Sequence, residues 1–251
     1  MPKTARLLLI FNLLALSSTA NALEFCGKKA QGEIILARSG GNEQLFAFGR
    51  DADLLQTITV GDETKEIEIA ATKWDIQDIK GLPPKKVAPS KEDEKEINRE
   101  YADVRNAQKA SLSQTYWKKG FLMPVEGRIS GAFGGQRIMN GEKRNPHMGV
   151  DIAAPEGTTV MAPSDGVVTL AGQDYFFSGN VIVINHGHNL FTIYAHLKDM
   201  NVKKGDKVKQ GDIIATVGKT GRATGAHLHW GASLGGTRFN PVSLLELDKC
   251  L

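Results

Sequence analysis

Short apolar and alternating runs fill most of this chain, and their spacing divides it. In residues 23–80 the runs Glu33-Ile-Ile-Leu, Gln44-Leu-Phe-Ala-Phe, Thr57-Ile-Thr-Val and Glu66-Ile-Glu-Ile are separated by turn formers such as Ser39-Gly-Gly-Asn and Gly61-Asp. That pattern predicts a small antiparallel β domain. Gly81-Leu-Pro-Pro breaks it. From Ser90 the period lengthens, with Ile97, Tyr101, Val104 and then Ala107 or Gln108 recurring at three and four residues. This predicts a helix with one apolar stripe, capped by Ser90 with Asp93. The charge crowded between Lys85 and Glu100 reads as the solvated face of that helix. From Lys119 to about Leu247 the chain returns to strand-length runs between glycine turns: Gly157-Thr-Thr-Val, Gly166-Val-Val-Thr-Leu, Asn180-Val-Ile-Val-Ile-Asn, Leu190-Phe-Thr-Ile-Tyr-Ala-His and Ile213-Ile-Ala-Thr-Val. With no helical stretch between them, they predict an all-β unit, an open sandwich or barrel-like. The expected fold class is mainly β: a small N-terminal β domain at 23–80, a linker and charged connecting helix at 81–118, and a larger β unit at 119–247.

The first residues follow another logic. Met1 to Arg6 carry two basic groups, Leu7 to Leu16 are almost wholly apolar, and Ala20-Asn21-Ala22 gives a small-residue end. The apolar run is half what a bilayer span needs, so 1–22 reads as a secretory signal cleaved after Ala22 rather than as a retained anchor. Its removal takes away Lys3 and Arg6 and no acid, which lowers the formal charge from +3 to +1. A nearly neutral chain gives no electrostatic reason to expect nucleic acid as a partner. The two cysteines, Cys26 and Cys250, stand at opposite ends of the mature chain. In an oxidising compartment an even pair so placed predicts a disulfide closing almost the whole protein, with two unpaired thiols as the alternative.

Candidate chemistry lies in the six histidines. His227 and His229 sit two apart in Gly225-Ala-His-Leu-His-Trp, a stretch that reads as a buried strand, so both imidazoles project from one face. His147 and Asp151 are four apart, a spacing that shares a face on a helix or a strand, and Gly149, Val150 and Ile152 favour the strand. Adding His229 gives two histidines and one aspartate with a fourth position open, the pattern of catalytic rather than structural zinc. If the strand through Leu190–Leu197 alternates strictly, Thr192, Tyr194 and His196 share a face, and His196 joins His227 should the two strands be neighbours. A pair of non-ligand imidazoles suits general acid–base work. His186-Gly-His188 repeats the spacing but lies between two apolar runs beside Asn185 and Asn189, and reads as a hairpin turn with a structural role.

Taken together, Ser130-Gly-Ala-Phe-Gly-Gly-Gln-Arg137, His147-Met-Gly-Val-Asp151, Tyr194-Ala-His-Leu197, Gly218-Lys-Thr-Gly-Arg-Ala-Thr-Gly-Ala-His-Leu-His229 and Asn240-Pro241 resemble the lysostaphin-like, LytM-type zinc metallopeptidases. They span some half of the chain in the family's order. Ala226 stands where the family usually has proline, and Gly231 where glutamate often follows the aromatic residue. The resemblance implies a LytM-type antiparallel β-sheet peptidase domain, His147, Asp151 and His229 as zinc ligands, and His196 and His227 as catalytic imidazoles. Phe46-Ala-Phe-Gly-Arg-Asp51 and Trp74-Asp-Ile-Gln-Asp-Ile-Lys-Gly-Leu-Pro-Pro84 resemble the small β domain that precedes this unit in Gram-negative members. The implied function is a zinc endopeptidase hydrolysing peptide cross-links of peptidoglycan, with the D-alanyl to meso-diaminopimelate bond as its target. The implied location is periplasmic, with no lasting membrane insertion. Two other classes are weighed against it: a LytM-like factor that has lost its metal and activates wall amidases, and a barrel-sandwich carrier domain. The five site residues are all present, and no Met-Lys-Met attachment turn occurs.

Overall fold

The computed structural model describes residues 22–80 and 91–251. Residues 1–21 of the expected leader, the Gly81-Leu-Pro-Pro breaker and the Ser90 cap lie outside the described residues.

The N-terminal runs become strands. β1 (Glu24–Cys26), β2 (Ile34–Ser39) and β3 (Asn42–Ala47) form an antiparallel sheet, and β4 (Leu55–Val60) pairs with β5 (Glu63–Glu68) as a hairpin. β2 reads Ile-Ile-Leu-Ala because it is covered on both sides. Ile35 and Ala37 join Ile58, Val60, Ile67 and Ile69 in a small core, while Ile34 and Leu36 point the other way into the main core of the protein. β6 (Ile76–Ile79) pairs in parallel with β8 (Gln136–Met139), which also pairs with β9 (Glu142–Lys143).

Helix α1 (Lys91–Ala107) follows the described gap. The main sheet then builds from β7 (Arg128–Gly131), β10 (Val150–Ala153), β11 (Thr159–Met161), β12 (Gly166–Tyr175), β13 (Gly179–Asn185), β14 (Leu190–Met200), β15 (Lys207–Val208), β16 (Ile213–Val217), β17 (His227–Leu234) and β18 (Thr237–Phe239). Its central order is β15-β12-β13-β14-β17-β10-β7, with β11, β16 and β18 attached at its sides. Every pairing in it is antiparallel. The mainly β architecture expected from the sequence is the one found.

Alternation gives this sheet two apolar faces. Ile182, Ile184, Leu190, Tyr194, Leu228 and Trp230 point into the main core, and Val181, Val183, Phe191, Ile193 and Ala195 point outward under α1. The stripe that α1 lays on this outer face is Ile97, Glu100, Val104 and Ala107, all buried, whereas Tyr101 is 42% exposed. The expected stripe is therefore corrected at one position: a glutamate from the charged run takes the inward place expected for Tyr101. Cys26 and Cys250 form a disulfide with Cα atoms 5.7 Å apart, tying β1 to the last turn of the chain. No helix among the described residues is long and apolar enough to cross a membrane.

Candidate active site

The register between β10 and β17 brings the first site residues together. Asp151 stands directly across from His229, and Ala153 across from His227, with Val150, Ile152, Leu228 and Trp230 turned to the core. The two histidines and the carboxylate consequently share the outer face, and the alternation expected of Gly225–Trp230 holds once the strand starts at His227.

His147 arrives differently. It precedes β10 in a loop, so its same-face relation to Asp151 is not strand periodicity, which corrects that expectation. The loop is pinned through its backbone: His147 N donates to Gly135 O at 2.7 Å, and Gly134 N donates to His147 O at 2.8 Å. His147 Nδ1 donates to Ala132 O at 2.9 Å, which fixes the tautomer and leaves Nε2 with a bare lone pair. That atom lies 3.0 Å from Asp151 Oδ1 and 3.0 Å from His229 Nδ1, and the latter two are also 3.0 Å apart. Among the described residues this is the one group of three metal-capable side chains so gathered. Two glycines make the room. A Cβ at Gly131 would meet Asp151 Oδ2 at 2.5 Å, and one at Gly149 would meet the His229 ring at 2.7 Å.

The electrostatics follow from burial against mutual contact. Burial alone would raise the Asp151 carboxyl, but hydrogen bonds and charge from His147 and His229 outweigh it and hold it far below the usual carboxylate range. Burial pushes His229 down, with Asp151 opposing only in part. His147 is pushed down by burial too, yet Asp151 prevails and the net displacement is upward.

His196 reaches the site through a break in alternation. Between β13 and β14, Asn180 pairs with Leu197 and Ile182 with Tyr194, so three steps on β14 oppose two on β13. This one-residue bulge is centred on His196, whose φ is +63°. Ala195 already faces outward with Ile193, and the extra residue lets the His196 ring face outward as well, before Leu197 resumes the core face. The strict alternation that groups His196 with Thr192 and Tyr194 is thereby corrected, since those two lie on the core side. The His196 ring sits 4.6 Å from that of His227 and 6.1 Å from that of His229. Each of the paired imidazoles gives its Nδ1 hydrogen to a backbone carbonyl: His196 to Thr220 O at 2.9 Å and His227 to Gly225 O at 2.8 Å. Both Nε2 atoms are left as acceptors. Burial lowers His196 to about 4, so its imidazole is neutral at ordinary pH.

The other histidines stand apart. His186 is fully buried; its Nδ1 donates to Asp165 O at 2.7 Å, and its Nε2 accepts from Thr192 Oγ1 at 2.7 Å, which in turn accepts from Tyr194 Oη. Burial lowers it to about 4. His188 lies in the β13–β14 turn at φ +48°. The turn expected at this pair is the one seen, with His186 packed in a structural role and His188 exposed.

Residues 145–241 match the model of peptidase family M23. Over 104 residues the chain is 45% identical to the peptidoglycan DD-endopeptidase ShyA of Vibrio cholerae, a stretch covering 41% of this chain and 24% of that protein. It is also 45% identical over 98 residues to the DD-carboxypeptidase/endopeptidase Mpg of Neisseria meningitidis, covering 39% of this chain and 22% of that one. The chain thus spans about a quarter of these relatives' length. A crystal structure of a putative peptidase M23 from Pseudomonas aeruginosa superposes with a TM-score of 0.65 at 27% identity, covering 89% of this chain and 93% of the other.

Proposed function

We propose, from the match of residues 145–241 to peptidase family M23, that the chain is a zinc-dependent endopeptidase hydrolysing peptide cross-links of peptidoglycan. The observation that carries this reading is the meeting of three lone pairs, on His147 Nε2, His229 Nδ1 and Asp151 Oδ1, each 3.0 Å from the others. With the His147 tautomer fixed by Ala132, such a set is satisfied by a cation, and imidazole nitrogens with a carboxylate oxygen suit zinc. His147, Asp151 and His229 would hold it. When bound in such a site, zinc polarises a carbonyl and makes water available as a nucleophile near neutral pH.

The remaining chemistry belongs to the paired imidazoles. His196 and His227 present their Nε2 atoms side by side, suited to taking the proton of the attacking water and returning it to the leaving amine as the C–N bond breaks. The imidazole that has taken the proton presents an N–H that can stabilise the charge developing on the carbonyl oxygen before the proton passes to the amine. The outer face of the sheet, where they stand, is open beyond α1: the His147, His227 and His229 side chains keep between 16% and 26% exposure.

A D-alanyl to meso-diaminopimelate bond in a Gram-negative wall is the substrate this reading favours, and a cleaved leader at 1–22 would put the work in the periplasm. Within it, residues 119–247 are the peptidase unit and residues 23–80 a companion β domain. The test uses the mature chain, residues 23–251. Purified protein should carry about one zinc per chain and release cross-link cleavage products from peptidoglycan, identified by mass. His147→Ala should do neither. A metal-free wild type that releases nothing but stimulates a wall amidase would replace this reading with the amidase-activator one.

A further inference from the structure

The matched family segment begins at residue 145, yet the His196 bulge is held from helix α1, which ends before that segment starts. A strand residue at φ +63° with a branched ring is not self-sustaining, because a left-handed backbone costs energy outside glycine and persists only where its surroundings impose it. Two backbone carbonyls impose it here: His196 N donates to Ser178 O at 2.8 Å, and His196 Nδ1 donates to Thr220 O at 2.9 Å. Both carbonyls belong to turns rather than strands, so something must hold the turns.

That holder is Glu100. It is 5% exposed, whereas Glu94, Lys95, Glu96, Arg99 and Arg105 of the same helix are exposed, and its carboxylate accepts three hydrogen bonds from one turn. Phe177 N donates to Oε2 at 2.9 Å, and Ser178 N and Ser178 Oγ donate to Oε1 at 3.0 and 2.5 Å. The clamped turn carries the second one with it. Arg222 N donates to Phe177 O at 3.0 Å, the Arg222 guanidinium lies over the Phe177 ring at 5.7 Å, and Asn180 N donates to Thr220 Oγ1 at 3.0 Å. A carboxylate taken out of water is costly unless such donors meet it, and three of them on consecutive residues fix the turn as a unit.

We propose that Glu100 is a positioning residue for the endopeptidase site: by clamping the Phe177–Ser178 turn it sets the two carbonyls that hold His196 in its outward, bulged orientation. The proposal rests on the hydrolase reading for its activity arm only. α1 is thus part of what makes the site competent, and the α1 charge run contains one residue whose purpose is internal.

The experiment compares Glu100→Gln and Glu100→Ala in the full mature chain with Asp103→Asn as control. Asp103 lies on the same helix and accepts from Tyr175 Oη at 2.7 Å, a contact beside the clamped turn that is made to a side chain rather than to the turn's backbone. The first readout is amide hydrogen exchange at His196 in the metal-free chain, which needs no catalysis. Glu100→Ala should speed exchange at His196 by about tenfold or more, and Glu100→Gln by less, while Asp103→Asn leaves it unchanged at similar overall stability. The second readout is turnover of peptidoglycan by the zinc-loaded chain. Glu100→Ala should lower kcat by roughly tenfold or more with KM and zinc content held, as expected for a group acting through a transition-state residue. Wild-type exchange at His196 in both Glu100 variants overturns the proposal, as does a loss in Asp103→Asn equal to that in Glu100→Gln. If wild type itself fails to cleave peptidoglycan, the hydrolase reading falls, and the exchange result still decides the role of Glu100.

Discussion

Lowering the pH should destabilise this protein in part through the buried imidazole of His186, and the size of that contribution is set by its surroundings. Its ring has no exposure, donates to Asp165 O and accepts from Thr192 Oγ1, an arrangement that requires the neutral form. Folding therefore lowers its pKa from 6.5 to about 4. The sign follows from proton counting. As pH falls through 6.5 the unfolded chain binds a proton that the native chain refuses until about 4, so stability is complete above 6.5, declines between 6.5 and 4, and is level below. At about 1.4 kcal/mol per tenfold change in affinity the total is about 3 kcal/mol. The assay is urea unfolding of the metal-free mature chain between pH 7.5 and 4, for wild type and His186→Gln. Glutamine does not titrate, and every other group is common to both proteins. The stability advantage of wild type should shrink by about 3 kcal/mol across the window. Parallel curves would refute the argument, because they would mean that His186 folds without excluding its proton.

Three further outcomes follow from the site and its frame. His229→Ala should empty the zinc site, whereas His227→Ala should keep zinc and lose turnover, both checked by metal analysis beside a cleavage assay; equal metal loss in the two variants would reverse the ligand assignment. Gly149→Ala places a Cβ 2.6 Å from Trp230 O and 2.7 Å from the His229 ring, so zinc affinity measured against a competing chelator should fall about tenfold or more, and an unchanged affinity would count against the close-packing argument. Replacing Cys26 and Cys250 by serine opens a closure of 224 residues and should cost up to about 5 kcal/mol by the loop-entropy relation, read from denaturant melts, with unchanged stability as the refuting result.

Much of this was visible in the residue pattern because strand alternation is local. The strands beginning near Ile34, Leu55, Gly166, Gly179 and Ile213 lie where apolar runs and glycines place them, and His227 and His229 share a face for the same reason. His147 was legible as a site residue but not in its setting, since its loop is held by carbonyls of Gly135 and Ala132, which carry no side-chain signal. His196 was legible as an imidazole near the site, while alternation gave it the wrong face. A bulge is decided by what the neighbouring turns hydrogen-bond, and nothing in Tyr194-Ala-His-Leu announces it. Glu100 was hidden altogether. Inside a run of lysines and glutamates a buried acid looks like an exposed one until its three donors, seventy-odd residues downstream, are folded against it.

The extra residue in β14 makes the orientation of the site a matter of counting rather than of composition. Upstream of Ala195 the strand keeps one phase, and from Leu197 it keeps the opposite one, with His196 at the seam. Removing His196 itself would heal the strand into regular pleat without changing any side chain that packs the core, and Ala195 would then be the one outward residue between Tyr194 and Leu197. Conversely, a homologous strand of ordinary phase could carry the same histidine and never present it. Two sequences with identical site residues can thus differ in activity by one unit of length, which makes the spacing between His196 and its strand neighbours as informative as the histidine itself.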